Sequence, residues 1–170
     1  MTRSIALITA FIGAALLAAS CGGSAYGSTS ASTGGGYPGT AGTPPGSSGP
    51  SATVAVRSTA LGQILVDGSG RTLYLFAADQ GTASSCYGAC AGVWPPATAT
   101  GAPVAAAGVH QSLLATTARK DGSMEIVYNG HPLYYFISDK QPGDTTGQAL
   151  SSFGADWYVL SPAGTKIDKS

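Results

Sequence analysis

The chain has 170 residues, only 9% of them are charged, and its formal net charge at neutral pH is zero. A composition without basic or acidic excess argues against nucleic acid as a partner and against long-range electrostatic capture of a ligand. Soluble domains carry about a quarter charged residues on average, so the composition is also unlike that of an ordinary cytoplasmic protein.

The N-terminal segment is typical of an exported protein. Arg3 precedes an apolar run over residues 5–17, which is too short to span a bilayer and fits the hydrophobic region of a secretory signal peptide. Small residues follow at positions 18–20, and the next residue is Cys21. We therefore predict a signal peptide over residues 1–20.

The junction at residues 17–21 resembles a bacterial lipobox. The resemblance implies cleavage before Cys21 and attachment of acyl chains, palmitate among them, to that cysteine. Two or three acyl chains hold a protein on a membrane far better than one, since each buried CH₂ contributes about 0.8 kcal/mol. The mature chain is then an extracytoplasmic lipoprotein, anchored to the bacterial cell membrane. The alternative is ordinary signal-peptidase cleavage near residues 18–20, which releases a free protein.

Residues 21–52 form the predicted tether. After Cys21 this segment contains only Gly, Ser, Thr, Pro, Ala and two tyrosines, and it carries no charge. Without apolar periodicity it cannot form a core, so we predict a disordered linker. As a flexible coil it would span about 30 Å on average, enough to lift a domain clear of the lipid head groups.

Residues 53–170 are predicted to fold as an all-β, mainly antiparallel domain. Short β-prone runs alternate with Gly, Asp and Asn, and Asn129-Gly130 is a strong hairpin signal because both residues tolerate positive φ. We also predict short helical turns near residues 84–91 and 148–153. The predicted strands cover residues 54–58, 63–66, 72–76, 113–119, 124–128, 133–137 and 157–160.

A repeat organises this domain into two hairpin units, at about residues 53–105 and 106–170. Residues 64–66 and 126–128 each precede a turn, an aromatic strand and, further on, a tryptophan. Since a lone hairpin is only marginally stable in water, we predict that the two units pack together as one domain. The repeated positions are Tyr74, Phe76, Asp79 and Trp94 in the first unit and Tyr134, Phe136, Asp139 and Trp157 in the second.

The spacing within each copy predicts mainly structural roles. The tyrosine and the phenylalanine lie two residues apart, so they share a strand face and are expected to enter the core. The aspartate comes three residues later, where the strand ends. Its carboxylate is expected to accept hydrogen bonds from backbone N–H groups of the following turn.

Residues 53–170 resemble a bacterial family of lipoproteins called the secreted repeat of unknown function. The resemblance is carried by the two Tyr-x-aromatic-x-x-Asp copies and by residues 86–96, 142–148 and 153–160. It implies an envelope-anchored module without an established enzymatic activity.

Two interpretations of the remaining cysteines stay open. Cys86 and Cys90 form an even pair in an oxidising compartment, which predicts a disulfide. Alternatively, the two thiolates together with His110 or His131 form a copper or zinc site, because soft thiolates and imidazole suit these metals. We rank the disulfide first and predict neither a metal nor another cofactor.

The chain contains none of the common enzyme motifs that we considered. The chain lacks a Gly-x-Ser-x-Gly elbow, a His-Glu-x-x-His motif and a phosphate-binding loop after a strand. Glu125 is the only glutamate, and alternation with its apolar neighbours predicts that it points outward. The predicted function is therefore a structural or interaction role in the cell envelope, with an envelope protein or a glycan as the partner. The alternative function is metal binding or redox chemistry at Cys86 and Cys90.

Overall fold

The computed structural model describes residues 51–169, and all structural statements concern this part of the chain. The predicted signal peptide, the lipidation site at Cys21 and nearly all of the predicted linker lie outside the described residues. The strands are β1 (Thr53–Thr59), β2 (Gly62–Asp67), β3 (Tyr74–Phe76), β4 (Val104–Ala105), β5 (Leu114–Ala118), β6 (Met124–Tyr128), β7 (His131–Pro132), β8 (Ser151–Ser152) and β9 (Ala155–Val159). The helix α1 (Ala89–Val93) and a 3₁₀ turn (Gln111–Leu113) complete the elements.

The strands form three small sheets, in the orders β2-β1-β4, β3-β9-β8 and β5-β6-β7. All pairings within them are antiparallel except the short parallel contact between β1 and β4. The predicted all-β, mainly antiparallel fold is therefore confirmed. Asn129 and Gly130 both have positive φ and turn the chain from β6 to β7, as their sequence predicts.

The two repeats exchange the segments that carry their tryptophans. In the first repeat β3 pairs with β9, so Phe76 lies opposite Trp157 of the second repeat. In the second repeat the backbone N–H groups of Tyr135 and Ile137 donate to the carbonyls of Pro95 and Val93 in the first. Neither repeat therefore completes its own sheet, and each depends on the other for a neighbouring strand.

The hydrogen bonds also correct the alignment of the two hairpins by one residue. The N–H of Leu73 donates to the carbonyl of Leu65, and the N–H of Leu133 donates to that of Ile126. Leu65 therefore corresponds to Ile126, whereas the sequence pattern had paired Ile126 with Ile64. The turn in the second hairpin is one residue shorter, which a comparison of apolar runs does not detect.

The predicted strand over residues 133–137 does not form as a continuous strand. Within these residues the only regular pairing is that of isolated bridges at Tyr134, because the opposite segment contains Pro95 and Pro96. Proline has no N–H to donate, so this ladder is interrupted, whereas β9 pairs fully with β3.

Of the two predicted helical turns, only the first forms. Helix α1 falls near the end of residues 84–91, but residues 148–153 contain turns and the strand β8. Here the chain folds back in a tight hairpin at Phe153 and Gly154, both with positive φ, and β8 pairs with β9. The tertiary pairing with β9 thus replaces the local helical preference.

The core consists of two clusters of buried side chains. One is mainly aliphatic and is built around Leu65, Ile126 and Leu133. The other is aromatic and contains Phe76 together with both tryptophans, and Phe136 packs against it. The two repeats therefore share a single aromatic cluster. Within residues 51–169, no helix has both the length and the apolar character needed to cross a membrane.

Candidate functional site

The centre of the molecule is a pseudo-twofold contact between the two motif tyrosines. Tyr74 and Tyr134 form an antiparallel bridge in which each N–H donates to the other's carbonyl, both at 2.9 Å. Both tyrosines have 0% exposed surface. The repeats thus meet backbone to backbone at equivalent positions, and the side chains around this point follow the same symmetry.

Four aromatic rings stack across the interface in the order Phe76, Trp157, Trp94, Phe136. The centroid separations are 4.1, 4.0 and 4.3 Å, and the two indoles are tilted by only 2°. Each phenylalanine stacks on the tryptophan of the other repeat, so the four rings interlock the two halves. Offset or stacked aromatic pairs contribute about 0.5–1.5 kcal/mol beyond their area burial.

Each motif tyrosine packs edge-on against the tryptophan of its own repeat. The Tyr74 and Trp94 centroids are 5.4 Å apart with an interplanar angle of 77°, and Tyr134 and Trp157 are 5.2 Å apart at 86°. This T-shaped arrangement is one that aromatic rings favour. The phenol rings therefore flank the indole pair symmetrically.

The tyrosine hydroxyls cross the interface to the aspartates of the opposite repeat. Tyr74 donates to Asp139 Oδ2, and Tyr134 donates to Asp79 Oδ2, both at 2.7 Å. The motif tyrosine and aspartate are five residues apart in sequence, but each tyrosine uses the other copy's aspartate. Sequence reasoning missed this crossing, because a repeat alone does not indicate how its copies are exchanged.

The second oxygen of each aspartate orders the loop that follows it. Asp79 Oδ1 accepts from the backbone N–H of Ser85 at 2.7 Å, and Asp139 Oδ1 accepts from that of Thr146 at 3.0 Å. The carboxylates thus accept backbone donors from the following loop, six and seven residues ahead, rather than within an immediate Asx-turn. Each aspartate ties its own loop to the opposite tyrosine.

The predicted disulfide between Cys86 and Cys90 is confirmed, with 5.3 Å between their Cα atoms. It closes the loop before Trp94, and both half-cystines belong to the aromatic cluster. Because the sulfurs are bonded to each other, neither presents a thiolate in this state.

The histidines are not gathered around the cysteines into a metal site. In the part of the chain that the structure describes, no three His, Cys, Asp or Glu side chains are grouped to hold a metal ion. His110 is exposed, and its backbone N–H donates to the hydroxyl of Tyr128 at 3.0 Å. His131 is half-buried in β7, directly after the turn at Asn129 and Gly130.

The prediction that Glu125 points outward is wrong. Glu125 is fully buried, and its Oε2 accepts from Arg119 Nη1 at 2.8 Å, while Oε1 has no hydrogen-bond partner among residues 51–169. Met124, its neighbour, is the exposed residue instead. Burial does not alternate along β6, because every residue after Met124 is buried. The face that the sequence pattern left open is covered by the loop that contains Ser84 and Cys86.

Arg119 organises this covering loop. Its Nη2 donates to the carbonyl of Cys86 at 2.7 Å, and its guanidinium lies 4.4 Å from the centre of the Tyr87 ring. Ser84 accepts from Arg119 Nη1 and lies within hydrogen-bond distance of the Tyr134 hydroxyl. Burial raises the pKa of Glu125 to about 7, and the hydrogen bond and charge of Arg119 oppose that shift.

Two shallow cavities occur at equivalent places in the repeats, with volumes of about 240 and 230 Å³. Each is lined by the aromatic segment and the motif aspartate of its repeat, and each has at least one basic side chain at its wall. The first is lined by Leu75, Phe76, Ala77, Asp79, His131 and Lys166, and the second by Arg71, Thr72, Pro95, Tyr135, Phe136, Ile137 and Asp139.

Comparison with known proteins supports the repeat. A family model described as a secreted repeat of unknown function matches the chain twice, over residues 55–98 and 115–161. Each match includes one motif tyrosine, its phenylalanine, its aspartate and the tryptophan that enters the stack. Searches of curated proteins and of solved structures found no match.

Proposed function

Because the chain belongs to the family described as a secreted repeat of unknown function, we propose that it is a lipid-anchored module with a structural or interaction role in the cell envelope. The family description points to an extracytoplasmic location. The apolar run over residues 5–17 that ends near Cys21 supports export and acylation.

One observation favours a structural or interaction role over catalysis. Both oxygens of Asp79 and Asp139 are engaged, one with the opposite tyrosine and one with the following loop. These carboxylates would be the first candidates for acid–base chemistry on a substrate, yet in each of them both oxygens already accept hydrogen bonds that hold the repeats together. The proposal therefore contains no enzymatic step.

A surface that binds a partner would use apolar side chains that are exposed and not part of the core. Ile137 and Phe153 are about half exposed, at 52% and 47%. We take these two side chains as the points of contact with an envelope protein or a glycan. A photo-crosslinking residue at position 137 or 153 should yield a defined adduct in intact cells, and the absence of an adduct at both positions would contradict this partner surface.

Lipidation has a direct test. Cells fed a labelled fatty acid should incorporate the label into the wild-type protein, and Cys21→Ser should abolish this and release the protein from the membrane fraction. The matched control is Cys86→Ser with Cys90→Ser, which leaves residues 1–21 intact and should keep the label. Undiminished labelling of Cys21→Ser would contradict the anchor.

The metal-binding or redox alternative at Cys86 and Cys90 would require free thiols. Thiol titration of protein purified without reductant separates the two functions. We expect no reactive thiol from this pair, in keeping with the bond between the sulfurs. Two thiols together with bound copper or zinc would favour the alternative, with His110 or His131 as the further ligand.

A further inference from the structure

The two motif tyrosines combine three properties that reversible oxidation of a phenol needs. Their rings have 0% exposed surface, so a radical on either ring cannot couple with one on another molecule. Their hydroxyls lie 2.7 Å from a carboxylate oxygen, within the distance at which a base can accept a proton. Their edges meet a tryptophan that can accept or supply an electron.

The electrostatics couple the electron to the proton. Burial and the hydrogen-bonded carboxylate of Asp139 raise the pKa of Tyr74, and burial chiefly raises that of Tyr134. Both phenols therefore stay protonated at neutral pH. An oxidised phenol is a strong acid, so loss of an electron from either ring drives its proton to the aspartate. The aspartates are only partly buried and can exchange that proton with solvent.

The tryptophans differ from the tyrosines in what their polar hydrogens meet. The indole N–H groups of Trp94 and Trp157 donate to the hydroxyl and the carbonyl oxygen of Ser152, both at 3.2 Å. These neutral oxygens are weak bases. An oxidised indole at this position keeps its proton and remains a strong oxidant, so it passes the oxidising equivalent on to a tyrosine whose proton has an acceptor.

We propose that the tryptophan pair and the two crossed tyrosine–aspartate contacts form a one-electron relay, which takes an oxidising equivalent from a diffusible oxygen- or nitrogen-centred radical and holds it as a tyrosyl radical. This goes beyond the proposed envelope role and does not depend on it.

The relay balances in two steps. First, Trp94 or Trp157, both fully buried, gives one electron through the intervening protein to the oxidant at the surface. The oxidant is reduced by one electron, and the indole becomes a radical cation. Second, the neighbouring tyrosine returns one electron to the indole while its hydroxyl proton moves to Oδ2 of Asp139 or Asp79. The products are a neutral tyrosyl radical and a protonated aspartate. A thiol or another one-electron donor then restores the phenol, which recovers its proton.

The test generates azidyl radicals by pulse radiolysis of the full-length chain and follows tryptophan and tyrosyl radicals by transient absorption. In the wild type we expect the tryptophan signal to convert into the tyrosyl signal at a rate independent of protein concentration and lower in D₂O. Asp79→Asn with Asp139→Asn keeps the shape but removes the bases. It should slow the conversion by about 100-fold, the lower end of what a positioned base contributes to proton transfer.

Two further variants keep the test decisive. Tyr74→Phe with Tyr134→Phe retains the rings and should leave a long-lived tryptophan radical, so it carries the test if the asparagine variant unfolds. Tyr158→Phe is the matched control, since Tyr158 donates to Asp156 at 3.2 Å but belongs to the aliphatic cluster. It should leave the rate unchanged. The relay would be overturned if the tryptophan radical converted only on encounter between two molecules. It would also be overturned if the conversion kept the wild-type rate in the folded asparagine variant or in the phenylalanine variant.

Discussion

The two repeats are alike at their contact and differ away from it. In the first repeat Ile64 lies on β2 and packs in the aromatic cluster. Its counterpart in the second repeat is Glu125 on β6, equally buried but paired with Arg119. The rings and hydroxyls at the contact must fit both copies at once, so they are the same in each. A position that faces only its own covering loop is free to diverge, even from an aliphatic side chain to an ion pair.

The segments that deliver the tryptophans differ in the same way. Trp94 follows helix α1 and the disulfide, whereas Trp157 lies on β9, in the hairpin with β8. Two unrelated local structures therefore place the indoles 4.0 Å apart and parallel within 2°. The comparison indicates that the position of the tryptophan is under tight geometric constraint, while the route of the chain to it is not.

The largest expected effect tests the symmetry of the contact. Trp94→Ala and Trp157→Ala each remove a fully buried ring of the stack and should lower the free energy of unfolding by about 3–5 kcal/mol. Because the two indoles have equivalent neighbours, the two losses should agree. Denaturant unfolding followed by circular dichroism measures both, and a near-neutral result for one tryptophan would break the comparison.

Removing one partner of the ion pair should lower the stability, whereas replacing both partners should not. Arg119→Met alone leaves Glu125 buried without its partner and should cost about 3–5 kcal/mol of stability. Arg119→Met combined with Glu125→Ile places isoleucine at position 125, as in the first repeat, where Ile64 is the counterpart. The double variant should be as stable as the wild type or more so, by up to about 4 kcal/mol. A double variant as unstable as the single one would mean that the pair has a net stabilising role.

The pH dependence of stability isolates Glu125. Its pKa of about 7 in the folded state lies above its ordinary value of 4.5. Between these values the folded chain holds a proton that the unfolded chain has released. The stabilisation is complete below about pH 4.5 and is lost as the pH rises through about 7, by about 3 kcal/mol in all. Melting curves of the wild type should show this decline, and Glu125→Gln should flatten it.

The disulfide should contribute less than either buried feature. Cys86 and Cys90 close a ring of only a few residues, for which loop entropy predicts about 2 kcal/mol. Cys86→Ala with Cys90→Ala should therefore lower stability by about that amount while the domain stays folded. Intrinsic tryptophan fluorescence reports whether Trp94 keeps its place, and complete unfolding of this variant would contradict the small contribution.

The smallest expected effect is a gain of stability at the hairpin that only the second repeat has. Phe153 is exposed at 47% and has a φ of 57°, a conformation that costs a side-chain-bearing residue about 1–2 kcal/mol. Phe153→Gly should raise the melting midpoint slightly because this strain is relieved. Phe153→Ala, which keeps a Cβ atom, is the control and should not raise it.

The sequence by itself determined the all-β class, the two copies, the residues of the motif and the even pair of cysteines. These follow from local patterns: alternation, turn residues and a spacing that recurs. Only the tertiary structure decided three features: the exchange of the segments that carry the tryptophans, the crossing of Tyr74 to Asp139, and the burial of Glu125. Each depends on which distant segment covers a given face, and the interruption by Pro95 and Pro96 matters only because that segment lies opposite Tyr135. A pattern along the chain records which side a residue faces, but only the folded molecule determines what lies against that side.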